Sequence, residues 1–422
     1  MRPSDQPAKA AGPAFWKIAG AGAAFQAGSS AVDSATIVAS LVLHLTGSVF
    51  AVGAASAVLR LGWLLPQLVV GFLAQQAERR MPFYMVGAFG RAACLALIAG
   101  LLAVAGEPAG AWISGGFLVS WTLYAFVSGI VAVPYNDIVG RSIPASARSR
   151  MLAWRFLGGG LLALGVAAIV HRLLATTPPL TAYALTFALA SLLMLVSSIS
   201  FVSAGEPPIP ERRTEPARKF RAFMQDGLEV LGSDTRFRLF LITQWLGGAT
   251  FMVLPFYVVA ASRLGLEIED VAVLLGAQTA GSLASNPAWG RIGDHHGKLR
   301  LLEVVGVLRL VPLAVIFFLL LSAGPSAATR LGEFAVLFFV LGALINGMTI
   351  GYLGFLMEIS PDDRRPAYSA YFNALASPAA LLPLVGAAIV ETASLEILFA
   401  IAAMAAIVQL EFLRRLRRWE TP

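Results

Sequence analysis

The stretch GRIGDHHGKLR, residues 290–300, is a short polar loop between two long apolar segments. The segment before it covers roughly residues 270–290, and the segment after it covers roughly residues 300–322. Each has about 20 mostly apolar residues, which is the length of helix that crosses the hydrocarbon core of a bilayer. This stretch therefore predicts two membrane helices joined by a tight polar turn.

The composition extends this interpretation to the whole chain of 422 residues. Hydrophobic residues make up 58% of it and charged residues only 13%, whereas an average soluble domain has about 25% charged residues. The mean hydropathy is +0.76. These values predict an all-α integral membrane protein and exclude disordered, collagen-like and coiled-coil classes.

Twelve apolar segments have the length of a membrane helix. They cover roughly residues 18–44, 48–76, 82–105, 110–137, 152–173, 180–203, 236–261, 270–290, 300–322, 331–357, 368–391 and 395–413. A polar stretch at about 204–235 divides them six and six. The sequence therefore predicts twelve transmembrane helices in two six-helix groups.

This pattern predicts five regions along the chain. They are a disordered cytoplasmic tail (1–14), an N-terminal six-helix bundle (15–203), a cytoplasmic linker (204–235), a C-terminal six-helix bundle (236–413) and a basic cytoplasmic tail (414–422). Apolar residues recur at helical spacing in the linker, at Phe220, Phe223, Met224, Leu228 and Leu231. They predict an amphipathic helix on the membrane surface, with a plain linker as the alternative.

Lysine and arginine residues are concentrated on one side of the predicted bundle. That side collects Arg79, Arg80, Arg141, Arg148, Arg150, Lys298, Arg300, Arg364, Arg365 and the basic residues of 212–238 and 414–418. The opposite side holds only Arg172, Arg263 and Arg330. By the positive-inside rule, this predicts a multi-pass protein of the inner (cytoplasmic) membrane with both termini cytoplasmic. Topology thus accounts for the net charge of +7 without nucleic acid as a partner.

The two predicted halves share an internal repeat at an offset near 218 residues. Val86-Gly87 followed by Arg91 matches Val305-Gly306 followed by Arg309. Weaker matches recur in the same order along both halves. The repeat unit has six helices and both copies enter from the same side, which predicts two parallel, pseudo-symmetric bundles.

The loop at 290–300 resembles the signature loop of the major facilitator superfamily, in which a glycine, an aspartate four residues later, a second glycine and basic residues follow one another. The copy in the first half, GFLAQQAERR at 71–80, is degenerate because Gln75 and Glu78 replace the aspartate and the second glycine. The resemblance implies a latch that joins the halves on the cytoplasmic side. Its candidate residues are Gly290, Asp294, Gly297, Lys298, Arg300, Gly71, Arg79, Arg80 and Arg148. A short basic loop without a latch is the alternative.

The resemblance also implies that helices one, four, seven and ten line a central cavity. The candidates for substrate binding are Gln26, Ser30, Asp33, Arg60, Trp121, Tyr124, Gln244, Trp245, Tyr257, Asn346, Thr349 and Tyr352. Small residues such as Gly53, Gly160 and Gly276 fall in spans that the resemblance places between the halves, where they would let helices approach closely.

Asp33 and Arg60 are the deepest ionisable residues, at about 15 and 18 Å from the outer ends of their helices at 1.5 Å per residue. Charges at this depth are costly and mark functional candidates. We expect the two side chains to pair. Asp33 is then a proton-coupling candidate or half of a purely structural pair, and Arg60 is a candidate contact for an anionic substrate group. We expect Arg91 and Arg309 to pair with Asp137 or Glu303.

Together these features predict a secondary active transporter that moves a small organic solute by alternating access, with protons as a candidate coupling ion. A multidrug-type efflux pump and a non-transporting sensor or assembly partner with the same fold are the alternatives. An enzyme, a cofactor and a metal are not expected, since the chain has one cysteine and four scattered histidines and no evident nucleophile–base set. The expected partners are a lipophilic or weakly anionic solute and the lipid bilayer, and the chain is expected to be a monomer.

Overall fold

A computed structural model of the chain describes residues 12–106, 110–208, 229–321, 327–360 and 365–418. Within these ranges the chain forms seventeen α-helices and one 3-10 helix, without a β-strand. The predicted disordered tail lies outside them up to residue 11, as do residues 209–228 of the predicted linker helix and residues 419–422 of the basic tail.

Eight of these helices belong to the N-terminal half of the chain. They are α1 (Pro13–Ala31), α2 (Ile37–Thr46), α3 (Val49–Gln76), α4 (Met81–Ala103), α5 (Ala111–Gly129), α6 (Ala132–Ser142), α7 (Ala145–Thr176) and α8 (Pro179–Ala204). The helices of predicted spans one and four are each interrupted, so that α1 and α2 form one pair and α5 and α6 another.

The described part of the C-terminal half contains nine α-helices and the 3-10 helix. They are α9 (Thr235–Phe251), α10 (Leu254–Arg263), α11 (Asp270–His295), α12 (Lys298–Leu308), α13 (Leu310–Leu321), α14 (Ala327–Ile359), α15 (Arg365–Ala376), the 3-10 helix Ser377–Leu381, α16 (Leu382–Thr392) and α17 (Leu395–Arg418).

Ten segments within the described residues are long and apolar enough to cross a membrane. Two of the twelve predicted spans are not among them. The first span is divided by a break at residues 32–36 into α1 and the ten-residue apolar helix α2. The eighth is α11, which has 26 residues but carries polar side chains such as Gln278 and Asn286 along its middle. The all-α membrane class is therefore confirmed, and the count of twelve stays a prediction.

Several helices are interrupted near a proline, which lacks a backbone donor and clashes with the preceding turn. Helix α9 ends at Phe251 and α10 begins just before Pro255. Pro378 lies in the 3-10 helix between α15 and α16. By contrast, Pro66 and Pro287 lie inside the uninterrupted helices α3 and α11. The interruptions place irregular backbone halfway along two spans.

Glycines allow neighbouring helices within each half to pack with their backbones in contact. A Cβ atom on Gly281 of α11 would collide with the carbonyl oxygen of Phe339 in α14, and one on Gly342 of α14 would collide with that of Gln278 in α11. In the N-terminal half, Gly62 of α3 faces the backbone of α5 in the same way. Any larger residue at these positions would force the paired helices apart, because close-packed interiors have little room to yield.

The two halves meet at the outer end, by which we mean the end of the bundle opposite the basic loops. A Cβ atom on Gly53 of α3 would lie 2.5 Å from the carbonyl oxygen of Pro383 in α16. A Cβ atom on Gly276 of α11 would lie 3.6 Å from the Cβ atom of Ala167 in α7. Small residues therefore form the seam between the halves, both where α3 meets α16 and where α11 meets α7.

Polar contacts between the halves, like the packing of small residues, are found at the outer end of the bundle. At the outer end, Nδ1 of His171 lies 3.2 Å from the carbonyl oxygen of Glu269. A small cavity of about 210 Å³ lies nearby between α2 and the α10–α11 region, and His44 and Glu267 are among its lining residues. At the basic-loop end, the described residues include no hydrogen bond or ion pair from one half to the other. The polar contact found between described residues of the two halves thus lies at the outer end.

Candidate functional site

A cavity of about 510 Å³ lies between the two halves, at mid-depth in the bundle. Its walls come from α1 and the break after it, α3 and α5 in the first half, and from α9, α15 and the 3-10 helix in the second. The lining residues are Phe25, Ser29, Val32, Asp33, Ser34, Leu59, Arg60, Trp63, Leu64, Tyr124, Ser128, Gln244, Gly248, Phe251, Asn373, Ala376, Ala379 and Ala380. This volume is typical of sites for small organic ligands.

Asp33 produces the break in the first span and thereby reaches the cavity. Its Oδ1 atom accepts hydrogen bonds from the backbone N–H of Ala35 at 3.0 Å and from Oγ1 of Thr36 at 2.9 Å. The N–H of Val38 donates to the Asp33 carbonyl oxygen at 3.0 Å. An aspartate that bonds the backbone just beyond itself favours a turn over a continuous helix. The carboxylate is thus held where α1 ends, at the wall of the cavity.

Arg60 lines the same cavity but does not pair with Asp33. Its guanidinium lies over the ring of Phe251, with Cζ 5.2 Å from the ring centroid. Among the described residues, neither Arg60 nor Asp33 takes part in an ion pair within 4.0 Å. The predicted Asp33–Arg60 pair is therefore wrong: one carboxylate oxygen is bound by a local turn, and the guanidinium is stacked on a ring from the other half.

The repeat-related arginines Arg91 and Arg309 stand behind two aromatic residues of the cavity wall. Cζ of Arg91 lies 4.5 Å from the ring centroid of Phe25, and Cζ of Arg309 lies 5.9 Å from that of Phe251. Both arginines are buried. Each of these repeat-related arginines thus contacts a phenylalanine of its own half, and together they put positive charge close to both sides of the cavity.

The expected acidic partners of these arginines are bound elsewhere. Asp137 pairs with Arg141, with 2.8 Å between Nη2 and Oδ2. Glu303 pairs with Arg300 at 2.8 Å and with Arg417 at 3.1 Å. The predicted pairing of Arg91 or Arg309 with Asp137 or Glu303 is therefore wrong. The carboxylates lie near the helix ends, where an arginine one turn away in the same helix or an arginine at the end of α17 reaches them first.

Arg309 is held instead by a buried polar network in the second half. Its guanidinium donates to Oγ1 of Thr250 and, at 3.0 Å, to Oε1 of Gln409. Nε2 of Gln409 in turn donates to the carbonyl oxygen of Thr243 at 2.8 Å and to the hydroxyl of Tyr352 at 2.5 Å. This network fixes the position of Arg309 behind Phe251, and it occupies Tyr352, which the sequence predicted to line the cavity.

Four of the twelve predicted binding residues line the cavity: Asp33, Arg60, Tyr124 and Gln244. The others are occupied by packing or by local hydrogen bonds. Nε1 of Trp121 donates to the Ala55 carbonyl at 3.0 Å, and Trp121 is 1% exposed. Tyr257 is also buried and packs against aromatic rings of its own half.

Most of the remaining candidates bond nearby carbonyls or amides, whereas the buried Oε1 atom of Gln26 has no hydrogen-bond partner among the described residues. Ser30 and Thr349 bond the carbonyl one turn earlier in their own helices. Trp245 donates to the Leu375 carbonyl at 3.1 Å. Gln26 packs against the position of Gly159 in α7. Asn346 joins α14 to α11 by donating to the Ser282 carbonyl at 3.1 Å and to Oδ1 of Asn286 at 2.8 Å.

The second half contributes different helices to the cavity than the resemblance implied. Residues of α14, the tenth predicted span, are not among the described lining residues, whereas α15 and the 3-10 helix supply Asn373 and Ala379. The aromatic residues Phe25, Trp63 and Phe251 were also missed. One signal was present in the sequence, because each of these aromatic residues lies in the same span as a polar candidate, namely Gln26, Arg60 and Gln244.

The signature loop is bonded within its own half. Nζ of Lys298 lies 3.0 Å from Oδ1 of Asp294, and the lysine stem packs over the backbone at Gly293 and Gly354. Gly297 has a φ of 85° and so allows the reversal between α11 and α12. No side chain lies within 4 Å of the site of a Cβ on Gly290. Among the described residues, this loop forms no latch to the first half.

The corresponding loop of the first half is fixed by Glu206, which follows α8. Its carboxylate accepts hydrogen bonds from the backbone N–H groups of Arg80 and Met81. It also forms an ion pair with Arg141 at 2.7 Å. Burial raises the pKa of Glu206, but these hydrogen bonds outweigh burial and hold that pKa below its ordinary value. Arg80 also lies 3.7 Å from Asp137.

The other gate candidates of the first half behave similarly. Arg148 donates to the carbonyls of Ile143 and Gly140, Arg79 is exposed, and open space surrounds Gly71. Within the described residues, the basic loops of both halves are therefore stabilised locally. Between described residues of the two halves, the latch implied by the resemblance is not formed in this arrangement.

The chain as a whole matches one known protein family. The model of the family described as Major Facilitator Superfamily matches residues 18–304 and 247–418. Comparison with curated protein sequences gave no match.

Solved structures of transporters share the fold. A nucleoside transporter, NupG, superposes with a TM-score of 0.67 at 11% identity, over 97% of this chain and 99% of that one. A POT family transporter in complex with 5-aminolevulinic acid gives a TM-score of 0.69 at 12% identity, over 97% and 96%. A bacterial homologue of the iron transporter ferroportin in its inward-facing state gives a TM-score of 0.67 at 13% identity, over 96% of this chain and 98% of that one. The same homologue in an outward-facing state gives a TM-score of 0.63 at 14% identity, over 96% of this chain and 99% of that one.

Proposed function

This chain belongs to the major facilitator superfamily, and we propose that it is a secondary active transporter that moves a small organic solute across the membrane by alternating access. The observation that carries the proposal is the cavity of about 510 Å³, whose walls come from both halves. A solute held there touches both halves, so that rocking one half against the other changes the side from which it is reached.

We further propose that the structure corresponds to the inward-facing state. The seam at Gly53 and Gly276 closes the outer end, whereas polar contacts between the halves are not found among the described residues at the basic-loop end. The higher TM-score against the inward-facing than the outward-facing ferroportin homologue supports the same assignment. The positive-inside rule places the basic loops, and with them both termini, in the cytoplasm.

Asp33 is the residue through which we propose that protons are coupled to transport. It is the acidic residue among the described lining residues of the cavity, and its Oδ1 atom caps the turn that divides the first span. Protonation would remove a negative charge from a low-dielectric site and weaken that cap, since a neutral carboxyl is the poorer acceptor. A change in charge at Asp33 would thereby alter the wall of the cavity and the geometry between α1 and α2.

Alternating access can be tested with a reversible cross-link across the outer seam. Cysteines replace Ala167 and Gly276 in a Cys94→Ala background, because the distance of 3.6 Å between the two Cβ positions falls within the roughly 3.5–4.5 Å that disulfides require. Uptake of a panel of labelled organic solutes is then measured in proteoliposomes. We expect oxidation to abolish uptake of any transported solute and dithiothreitol to restore it.

A matched pair within one half provides the control. Ala23 and Gly158 are also separated by 3.6 Å between Cβ positions, but both lie in the N-terminal half. A disulfide between these positions should form equally well and leave uptake in place. Full uptake with the 167–276 bond closed would contradict the proposal, and so would the absence of gradient-dependent uptake for every solute in the panel.

A further inference from the structure

We propose, on the premise of the transport function above, that the solute is an organic monoanion with an aromatic or similarly apolar body, and that Arg60 binds its carboxylate group. The observations that lead to this assignment are the free donors of Arg60, the balance of charge around the cavity and the character of its remaining walls.

Arg60 presents a guanidinium to the cavity without a described acceptor for it. It lines the cavity on α3, and its Cζ atom lies over the ring of Phe251, 5.2 Å from the centroid. A cation–π contact with a phenylalanine ring supplies no oxygen or nitrogen acceptor, so the N–H donors of the guanidinium stay available for a ligand. Two parallel N–H bonds match the geometry of a carboxylate. A half-buried guanidinium that lies over an aromatic ring and has no described acceptor is therefore suited to an anionic ligand.

The charges around the cavity also favour an anion. Arg60 and Asp33 are the charged residues among the described lining residues. Arg91 and Arg309 add two positive charges directly behind the rings of Phe25 and Phe251. Three guanidinium groups thus stand against one carboxylate in a region of low dielectric, where Coulomb interactions are strong. A cationic solute would be repelled by this arrangement.

The position of Asp33 limits the solute to a single negative charge. Its Oδ1 atom is bound by Ala35 and Thr36, but the carboxylate as a whole borders the cavity. A second negative group on the solute would lie near Asp33 without a second free guanidinium to receive it, because Arg91 and Arg309 are covered by phenylalanine rings.

The rest of the wall fits an apolar body with few polar atoms. Aromatic rings come from Phe25, Trp63, Tyr124 and Phe251, and small side chains from Ala376 and Ala380 leave room between them. Planar aromatic groups pack well between such rings. Aryl carboxylates of one or two rings match both the charge and the surroundings of Arg60.

The test compares solutes that share a body and differ in charge. Binding of 3-phenylpropanoate and naphthylacetate, of their amides, of the corresponding amines and of phthalate is measured by calorimetry on the purified full-length protein in detergent. We expect the monocarboxylates to bind more tightly than the amide, the amine and the dianion. Arg60→Met should weaken carboxylate binding roughly 10- to 150-fold, the range expected for loss of hydrogen bonds to a charged group, and leave amide binding unchanged.

Two variants control for folding and for surface charge. Arg60→Lys keeps the charge without the planar fork and should lose less affinity than Arg60→Met. Arg263→Met removes an exposed arginine at the outer end and should bind the carboxylates like the parent protein. The thermal transition of each unliganded variant reports whether it folds.

The outcomes separate this inference from the transport function. Binding of an amide or amine as tight as that of the carboxylate, equal loss for all three in Arg60→Met, or no binding of any carboxylate at millimolar concentration would overturn the inference. Uptake of a neutral or cationic solute in proteoliposomes would keep the transport function and refute the monoanion. Arg60-dependent carboxylate binding without uptake of any solute would support the monoanion and refute the transport function.

Discussion

Replacing Gly53 by alanine should open the outer end of the transporter. A Cβ atom at this position of α3 would lie 2.5 Å from the Pro383 carbonyl oxygen and 2.7 Å from Cβ of Ala387 in the other half. Since real Cβ atoms essentially never come closer than 3.0 Å to another heavy atom, α3 and α16 must separate there by at least 3.0 − 2.5 = 0.5 Å. The added methyl group therefore destabilises the form in which the seam is closed and leaves the form in which it is open unaffected.

The size of the effect follows from the cost of overpacking. An extra methyl group in a close-packed site costs about 1–3 kcal/mol. At 1.4 kcal/mol per factor of ten, this shifts the equilibrium toward the outer-open form by about 5- to 150-fold. The closed form is the one described here, so the outer-open form is expected to be the minor species in the parent protein.

A single buried cysteine can measure that minor species. Ala167 is 4% exposed and faces Gly276 across the seam. In a Cys94→Ala background, Ala167→Cys should react with a maleimide in detergent only when the seam opens, so its labelling rate is proportional to the open fraction. We expect Gly53→Ala to raise this rate by the same 5- to 150-fold.

Two further glycines distinguish opening of the seam from general loosening. Gly165 of α7 has open space around it, and Gly62 of α3 meets the backbone of Ala125 at 2.6 Å within one half. Gly165→Ala should leave the labelling rate of the Ala167→Cys reporter unchanged. Gly62→Ala should lower the melting temperature without a comparable rise in that labelling rate. If Gly53→Ala labels no faster than Gly165→Ala, the proposed role of the seam is refuted.

Three other substitutions have distinct expected outcomes. The pKa of Glu206 is lowered in the folded state. Its ionised carboxylate therefore stabilises the fold fully at pH values above the ordinary glutamate pKa, and this stabilisation is lost as the pH falls below about 4.5. In Glu206→Gln, the melting temperature should depend less on pH over that acidic range. Gln409→Leu removes an acceptor from the buried guanidinium of Arg309 and should cost about 1–3 kcal/mol in detergent unfolding. The same change at the half-exposed Gln67, whose amide donates to the Trp63 carbonyl one turn earlier, should cost less. Asp33→Asn keeps the oxygen that caps the turn and should fold normally, but uptake should lose its dependence on a pH gradient, whereas unchanged dependence would exclude Asp33 as the proton site.

The sequence was sufficient for the features that depend on composition and on repetition. Apolar segments of membrane length predicted the all-α membrane class, and the loop at 290–300 predicted the family. Arg91 and Arg309, the repeat pair, are both buried and each contacts a phenylalanine of its own half. These features can be predicted because bilayer thickness fixes helix length and because duplicated halves repeat their internal contacts.

The residues of the cavity were harder to predict because they depend on how each helix is rotated about its axis. In a chain this apolar, both the lipid-facing and the inward-facing sides of a helix are hydrophobic, so periodicity does not separate them. Trp121 and Tyr124 are three residues apart in α5, yet only Tyr124 lines the cavity. The break in the first span was easier to predict, since Asp33 followed by Ser34 and Thr36 is typical of a turn.

The gate residues illustrate a different limit. The resemblance supplied their positions in the loops but not their partners in a given state. Asp294 is bonded to Lys298 four residues along its own chain, a pairing that any alternation of the halves leaves possible. Contacts that form in only one of two conformations depend on the relative position of the halves, which local sequence does not specify.

Helix α11 carries both ends of the proposed motion. Its 26 residues extend about 39 Å at 1.5 Å per residue, and about 27 Å of that length lies between Gly276 at the seam and Asp294 in the signature loop. Because Gly281 and Gly342 hold it against α14 backbone to backbone, the two helices can act as one stiff lever. Separation of the halves at the outer tip of α11 would then swing the opposite tip inward, so that a single tilt opens one vestibule and closes the other.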